Sequence, residues 1–242
     1  INQVHRVGIG DSNSKAYRMV TKEIIDPGNP AQAARIRPAV LQAIVNNKAD
    51  INPVKTHCEN GIAYGVRLIP PELTRSAVYI MRNPLDMIVS YASHYGNTMD
   101  EAIEGISRSD NTLLGGGDTV YQFLGTWSNH VVGWAKAKKK FPVLMLRYED
   151  MLKDPHEAFD RVVRHIGLPE DRDRLERAVK FSEFKQLQAQ ESKTGFVENS
   201  DNQKRFFRSG KADQWKTALS DDQVAQILRD QGRVMKKYGY EV

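Results

Sequence analysis

"VYIMRNPLDMIVSY", residues 78–91, decides how this chain is read. Its first four residues form an apolar run of strand character, Arg82-Asn83-Pro84 is a turn, and from Pro84 onward the apolar residues fall at helical spacing. Asn83 suits an N-cap and Pro84 the first helical turn, so Arg82 stands beside free backbone N–H groups. A strand that passes into a helix through an arginine offers a guanidinium fork to an anion such as phosphate. A surface arginine beside an ordinary cap satisfies the same residues.

Working outward, strand and helix signals alternate. Residues 30–47 carry apolar positions at helical spacing after a proline, 51–57 ("INPVKTH") read as a short strand, and 76–81 as a buried one. The polar stretch 96–118, ending in "GGGD", predicts a mobile loop, and a helix is expected over about 119–139. Residues 142–150 ("PVLMLRYED") predict a second buried strand, and 154–168 an amphipathic helix stopped near Gly167. Helical stretches at 170–181 and 220–237 flank a polar segment, 188–214. Such alternation implies parallel strands joined by crossover helices, and sheets of that kind bind ligands beyond the carboxyl ends of their strands. "KTH", "RNP" and "RYED" all fall at strand ends.

The chain has 242 residues, 40% of them hydrophobic, which is enough for a buried core. Its one cysteine, Cys58, excludes an intramolecular disulfide framework and suits a reducing compartment. No run reaches the length of a membrane span and no signal peptide opens the sequence, so a cytoplasmic location is expected. Thirty-five Lys and Arg against 30 Asp and Glu favour an anionic partner. An excess of that size does not separate nucleic acid, nucleotide and an ordinary soluble surface.

Three further stretches carry candidate chemistry. "VKTH" (54–57) puts Lys55 and His57 on one side of an extended chain. There a histidine can take a proton from an attacking hydroxyl and a lysine can stabilise charge on a leaving oxygen, although taken alone a histidine at a strand end is more often a structural residue. "FRSGKADQWK" (207–216) offers Arg208, Ser209, Gly210 and Lys211, with a glycine that permits close backbone approach to an anion. Trp215 either anchors that segment or stacks on a base. Glu149 and Asp150 of "YED" read as caps or partners of basic loops, and Trp127, His130 and Trp134 in "GTWSNHVVGW" (125–134) as a packing face.

"VKTH", "VYIMRNPLDMIVSY", "VLMLRYEDMLKDP" and "FRSGKADQWK", in this order and at these separations, together resemble the cytosolic type of sulfotransferase that uses 3′-phosphoadenosine 5′-phosphosulfate (PAPS). The resemblance runs from about residue 51 to 217. It implies an α/β fold: a P-loop NTPase-like three-layer domain with a central parallel sheet flanked by helices, as one domain over residues 1–242. It also implies sulfuryl transfer to a hydroxyl or amine of a small-molecule acceptor, PAP as the product, and no metal. The roles carried over are His57 as general base and Lys55 as stabiliser of the transferring group. Arg82 and Ser90 are carried over as ligands of the 3′-phosphate, and Tyr148 as a contact on the adenine side. Ser182 and Phe184 correspond to the family's "TSF" stretch. Arg208, Ser209 and Gly210 correspond to its "RKG" triplet, with serine in place of lysine and hence one cation fewer.

The sequence departs from the family at its start. A phosphate-binding loop resembling P-K-S-G-T-T-W is absent from these residues, and "GIGDSNSK" (8–15) lacks that loop's spacing and preceding strand. Either this loop and its strand belong ahead of residue 1, which is the expectation, or the chain is a degraded relative of the family. Polar segments 96–118 and 188–207 are candidate lids. Two rival readings are a phosphoryl transferase and a non-catalytic module binding adenine nucleotide or nucleic acid; for the sulfotransferase no nucleic acid partner is expected. The assembly state is open, a homodimer included.

Overall fold

The computed structural model describes residues 10–47, 49, 51–196 and 205–240. In chain order the elements are α1 (Ser14–Val20), α2 (Pro30–Val45), β1 (Ile62–Ala63), β2 (Val66–Arg67), β3 (Ala77–Met81), α3 (Pro84–Tyr95), α4 (Met99–Ser107), β4 (Thr112–Leu113) and β5 (Gln122–Phe123). There follow α5 (Trp127–Ala137), β6 (Val143–Arg147), α6 (Tyr148–Lys153), α7 (Pro155–His165), α8 (Arg172–Phe181), α9 (Phe184–Thr194), α10 (Trp215–Ala218) and α11 (Asp221–Lys237). They fall into two compact units, one of Ile1–Arg75 with Arg108–Pro142 and the other of Ser76–Ser107 with Val143–Val242.

In the first unit, α1 and α2 close on a core of Tyr17, Ile25, Ala33, Ile36, Val40 and Val120. Helix α2 begins where the Asn29 side chain accepts from Gln32 N and Pro30 presets the first turn. Arg37 on its inner face is 2% exposed; it donates to the Leu68 carbonyl at 2.7 Å and forms an ion pair with Asp11, itself 1% exposed. Thr126 caps α5 by accepting from Asn129 N. Residues 51–57 do not form the expected strand. Pro53 lacks a ladder donor, and the backbone that follows is held by side chains of α5 together with a bond from Glu59 N to the Phe123 carbonyl.

The second unit is built on a parallel pair. Strands β3 and β6 run in register from Ala77 opposite Val143 to Met81 opposite Arg147. Helix α3 follows β3 directly, capped by Asn83, whose side chain accepts from Leu85 N at 3.0 Å. Its apolar face buries Leu85, Ile88, Val89 and Ala92, and Gly96 ends it in the left-handed region. Burying each of the three larger side chains, Leu85, Ile88 and Val89, contributes roughly 1.5–3 kcal/mol. Helix α4 occupies residues expected to be a mobile loop: Ala102, Ile103 and Ile106 recur at helical spacing and are buried, which outweighs the polar composition around them. Helix α9 likewise takes up the start of the polar segment, to Thr194, and residues 197–204 of that segment lie outside the described residues. Helix α11 starts in a capping box between Ser220 and Gln223.

Candidate functional site

The register of the parallel pair builds the first part of the site. Met81 and Arg147 are partners at the ends of β3 and β6, so Arg82 and Tyr148 are the next residues on neighbouring strands. The Arg82 guanidinium lies over the Tyr148 ring, 4.7 Å from its centre. Arg82 Nη1 also donates to Ser90 Oγ at 2.9 Å, from two turns into α3. That hydroxyl oxygen accepts from arginine and still carries its own O–H donor. Arg82 Nη2 reaches the Lys211 carbonyl at 3.4 Å, which brings the 208–211 loop to the same place.

That loop is held by carboxylates that the sequence reading passed over. Asp86, 1% exposed on α3, accepts from Asp213 N at 2.7 Å and Trp215 N at 3.1 Å. Glu191 on α9 accepts from Phe206 N at 2.5 Å and Phe207 N at 3.1 Å. Gln188 adds a donor to the Phe207 carbonyl at 3.0 Å. Gly210 has φ +62°, and a Cβ there would stand 2.3 Å from Phe184 Cδ2. Glycine is thus required twice, by the backbone angle and by the ring pressed against it.

Arg82, Ser90, Tyr148 and the backbone of the 208–211 loop are therefore brought together, with Phe184 packed beneath Gly210. Arg208 is exposed and donates to Gln214 Oε1 at 3.3 Å, and Ser209 follows it in the loop. Ser182 is exposed as the C-cap of α8, where its backbone N–H donates to the Ala178 carbonyl. Glu149 has the structural role expected of it. Its Oε1 accepts from Asn83 N at 2.8 Å and its Oε2 from the Tyr240 hydroxyl at 3.1 Å, so it braces the turn that carries Arg82.

Lys55 and His57 belong to the first unit, both half-buried in the 51–59 segment. The Thr56 hydroxyl between them accepts from Cys58 N at 3.1 Å and from Arg37 Nη2 at 3.4 Å. His130 Nε2 lies 3.1 Å from the His57 carbonyl, and Trp134 Nε1 donates to the Cys58 carbonyl at 3.3 Å. The packing face read from the sequence is thus also a pair of donors. Burial lowers the His130 pKa, its bond to the His57 carbonyl opposes that shift, and the His57 charge adds to it. Burial also raises the Glu59 carboxyl. Among the described residues, no three His, Cys, Asp or Glu converge to hold a metal, and no helix is long and apolar enough to cross a membrane.

A strand-end arginine, a helix hydroxyl, an aromatic face and a glycine-bearing loop define an α/β protein with a cationic ligand site at the carboxyl end of its parallel strands. Residues 38–239 match the sulfotransferase domain family, and the chain belongs to that family. It is 25% identical to flavonol 3-sulfotransferase of Flaveria bidentis over 249 aligned residues, covering 88% of this chain and 73% of that one. Against cytosolic sulfotransferase 16 of Arabidopsis thaliana it is 28% identical over 193 residues, covering 73% of this chain and 54% of the relative. The chain thus spans about half the length of some of the curated relatives it matches. A crystal structure of mouse sulfotransferase SULT7A1 complexed with PAP superposes with TM-score 0.58 at 20% identity, covering 78% of this chain and 70% of that one. Retinol dehydratase in complex with androsterone and PAP superposes with TM-score 0.61 at 19% identity, covering 93% and 62%. These likenesses show the P-loop-like α/β fold of the sulfotransferases.

Proposed function

We propose that this chain is a PAPS-dependent sulfotransferase that moves a sulfuryl group to a hydroxyl or amine of a small-molecule acceptor. The observation that carries the reading is the convergence of Arg82, Ser90, Tyr148 and the 208–211 loop, in a chain whose residues 38–239 match the sulfotransferase domain family. The donor set fits a phosphate monoester. Arg82 brings a fixed guanidinium already oriented by Ser90, Ser90 keeps a proton to donate, and Gly210 lets the loop turn at φ +62° against the Phe184 ring. Those residues would hold the 3′-phosphate, and the Tyr148 ring would border the adenine. When bound, the nucleotide supplies the sulfuryl group and leaves as PAP.

The chain's own work is then positioning and charge management. His57 takes the proton of the acceptor hydroxyl or amine, and Lys55, two residues earlier, stabilises negative charge on the transferring group. Neither step calls for a metal. A reducing cytoplasm suits the buried thiol of Cys58.

The test is thermal stabilisation of the full chain by PAP against AMP, ligands that differ by the 3′-phosphate. A larger shift with PAP is expected. Equal shifts, or none from either, overturn the nucleotide assignment. A His57→Ala protein that transfers sulfuryl at the normal rate overturns the base.

A further inference from the structure

The backbone that carries His57 lies outside the regular strands, so contacts other than a ladder hold its polar groups. Helix α5 supplies the answer. His130, Gly133 and Trp134 lie at i, i+3 and i+4, on one face of that helix. His130 faces the carbonyl of His57 at 3.1 Å and Trp134 donates to the carbonyl of Cys58 at 3.3 Å, so two successive peptide groups are gripped from one helix. Gly133 lets the helix come close, since a Cβ there would stand 3.0 Å from the Asn60 carbonyl oxygen. The far side of the segment is tied by Glu59 N, which donates to the Phe123 carbonyl at 2.7 Å.

We infer that His130 is a positioning residue for the sulfuryl-transfer base: its Nε2–H fixes the His57 peptide plane and thereby the direction in which the His57 imidazole leaves the backbone. The inference rests on the reading of His57 as the base. A carbonyl acceptor requires the proton on Nε2, which assigns the tautomer of His130. Burial and the neighbouring His57 charge both favour the neutral ring, and in that form one nitrogen donates to His57 without adding a second cation beside the base. The strand ladder that would ordinarily hold such a segment is replaced here by side-chain donors from α5. A displacement of the base by about 1 Å is enough to cost a rate factor on the order of 100.

Two substitutions separate positioning from bulk. His130→Gln keeps an N–H near the place of Nε2, whereas His130→Leu keeps volume and removes the donor. In the full chain labelled with 15N-histidine, His130→Leu is expected to shift the His57 ring signals and speed amide exchange at Cys58 and Glu59. His130→Gln is expected to restore both. With PAPS and a phenol or amine that the wild-type chain sulfates, His130→Leu lowers kcat about 10- to 100-fold, leaves the KM for PAPS unchanged, and is rescued by His130→Gln. Unmoved His57 signals in His130→Leu, or equal damage from Leu and Gln, overturns the inference. Normal turnover in His130→Leu while His57→Ala is inactive overturns the inference and leaves the base assigned; normal turnover in His57→Ala overturns both.

Discussion

The guanidinium carbon of Arg82 lies 4.7 Å from the centre of the Tyr148 ring, a contact that follows from pairing Met81 with Arg147 in the parallel sheet. Neighbouring strands end level with each other, and the next residue on each meets its counterpart. Ser90 then fixes the guanidinium through Nη1 at 2.9 Å. Replacing Arg82 by alanine removes a charge-assisted donor pair worth about 1.5–3 kcal/mol, which corresponds to roughly 10- to 100-fold in affinity. Calorimetry is expected to show that loss for PAP and a much smaller one for AMP. Arg82→Lys should recover only part of it, because an ammonium cannot reach Ser90 and an anion with the same planar fork.

Gly210 combines a φ of +62° with a Cβ position 2.3 Å from the Phe184 ring. Gly210→Ala must therefore either swing the ring or unseat the loop. It is expected to weaken PAP binding and to lower the melting temperature by at least a few degrees, since alanine at a positive φ costs more than about 1 kcal/mol. Combining it with Phe184→Ala relieves the clash but leaves the backbone strain, so the double variant should regain part of the affinity. Full recovery would show that the ring was the whole obstacle.

What the sequence disclosed, and what it hid, follows from how local each signal is. Strand β3, the Asn83 cap and helix α3 were readable because an apolar run, a capping residue and proline placement are written within a dozen residues, although β3 is less buried than that run implied. Arg82 and Ser90 followed from the same stretch through its family resemblance. Helices α4 and α9 were read as loop and polar segment, since their few buried residues, such as Ile103 and Glu191, find partners far away in sequence. Asp86 was present in the quoted motif, but nothing local indicates that its carboxylate would accept from Asp213 and Trp215, 127 and 129 positions later. His130 and Trp134 were seen as a packing face because spacing reports which side is buried and is silent about which donors it carries.

Asp86 gives a prediction that separates loop order from ligand contact. Its two oxygens satisfy two backbone N–H groups from a site 1% exposed, so Asp86→Ala leaves both without their acceptor. Each costs about 1–3 kcal/mol. Amide exchange at Asp213 and Trp215 is expected to quicken, and PAP binding to fall without any change to a ligand-contacting side chain. Asp86→Asn retains one carbonyl acceptor, so protection at one of the two amides should survive. Unchanged exchange in Asp86→Ala would show that the loop is ordered by other contacts.

Acid sensitivity provides a test with a definite sign. Burial lowers the His130 pKa, opposed by its bond to the His57 carbonyl and reinforced by the His57 charge, so the folded state holds its proton less tightly than the unfolded chain does. By linkage, the stability associated with a neutral His130 is fully present above the ordinary histidine value of about 6.5 and is lost as pH falls through and below it. Glu23, Glu101 and Asp110, held below their usual values by their hydrogen-bond partners, lose their contributions in the more acidic carboxylate range. The raised Glu59 acts with the opposite sign, favouring the fold at low pH. All four carboxylates are unchanged in His130→Gln, so comparing that variant with the wild type isolates the histidine. Melting temperatures measured from pH 8 down to about pH 5 should fall more steeply for the wild type than for His130→Gln; parallel curves would show that His130 keeps its ordinary proton affinity in the fold.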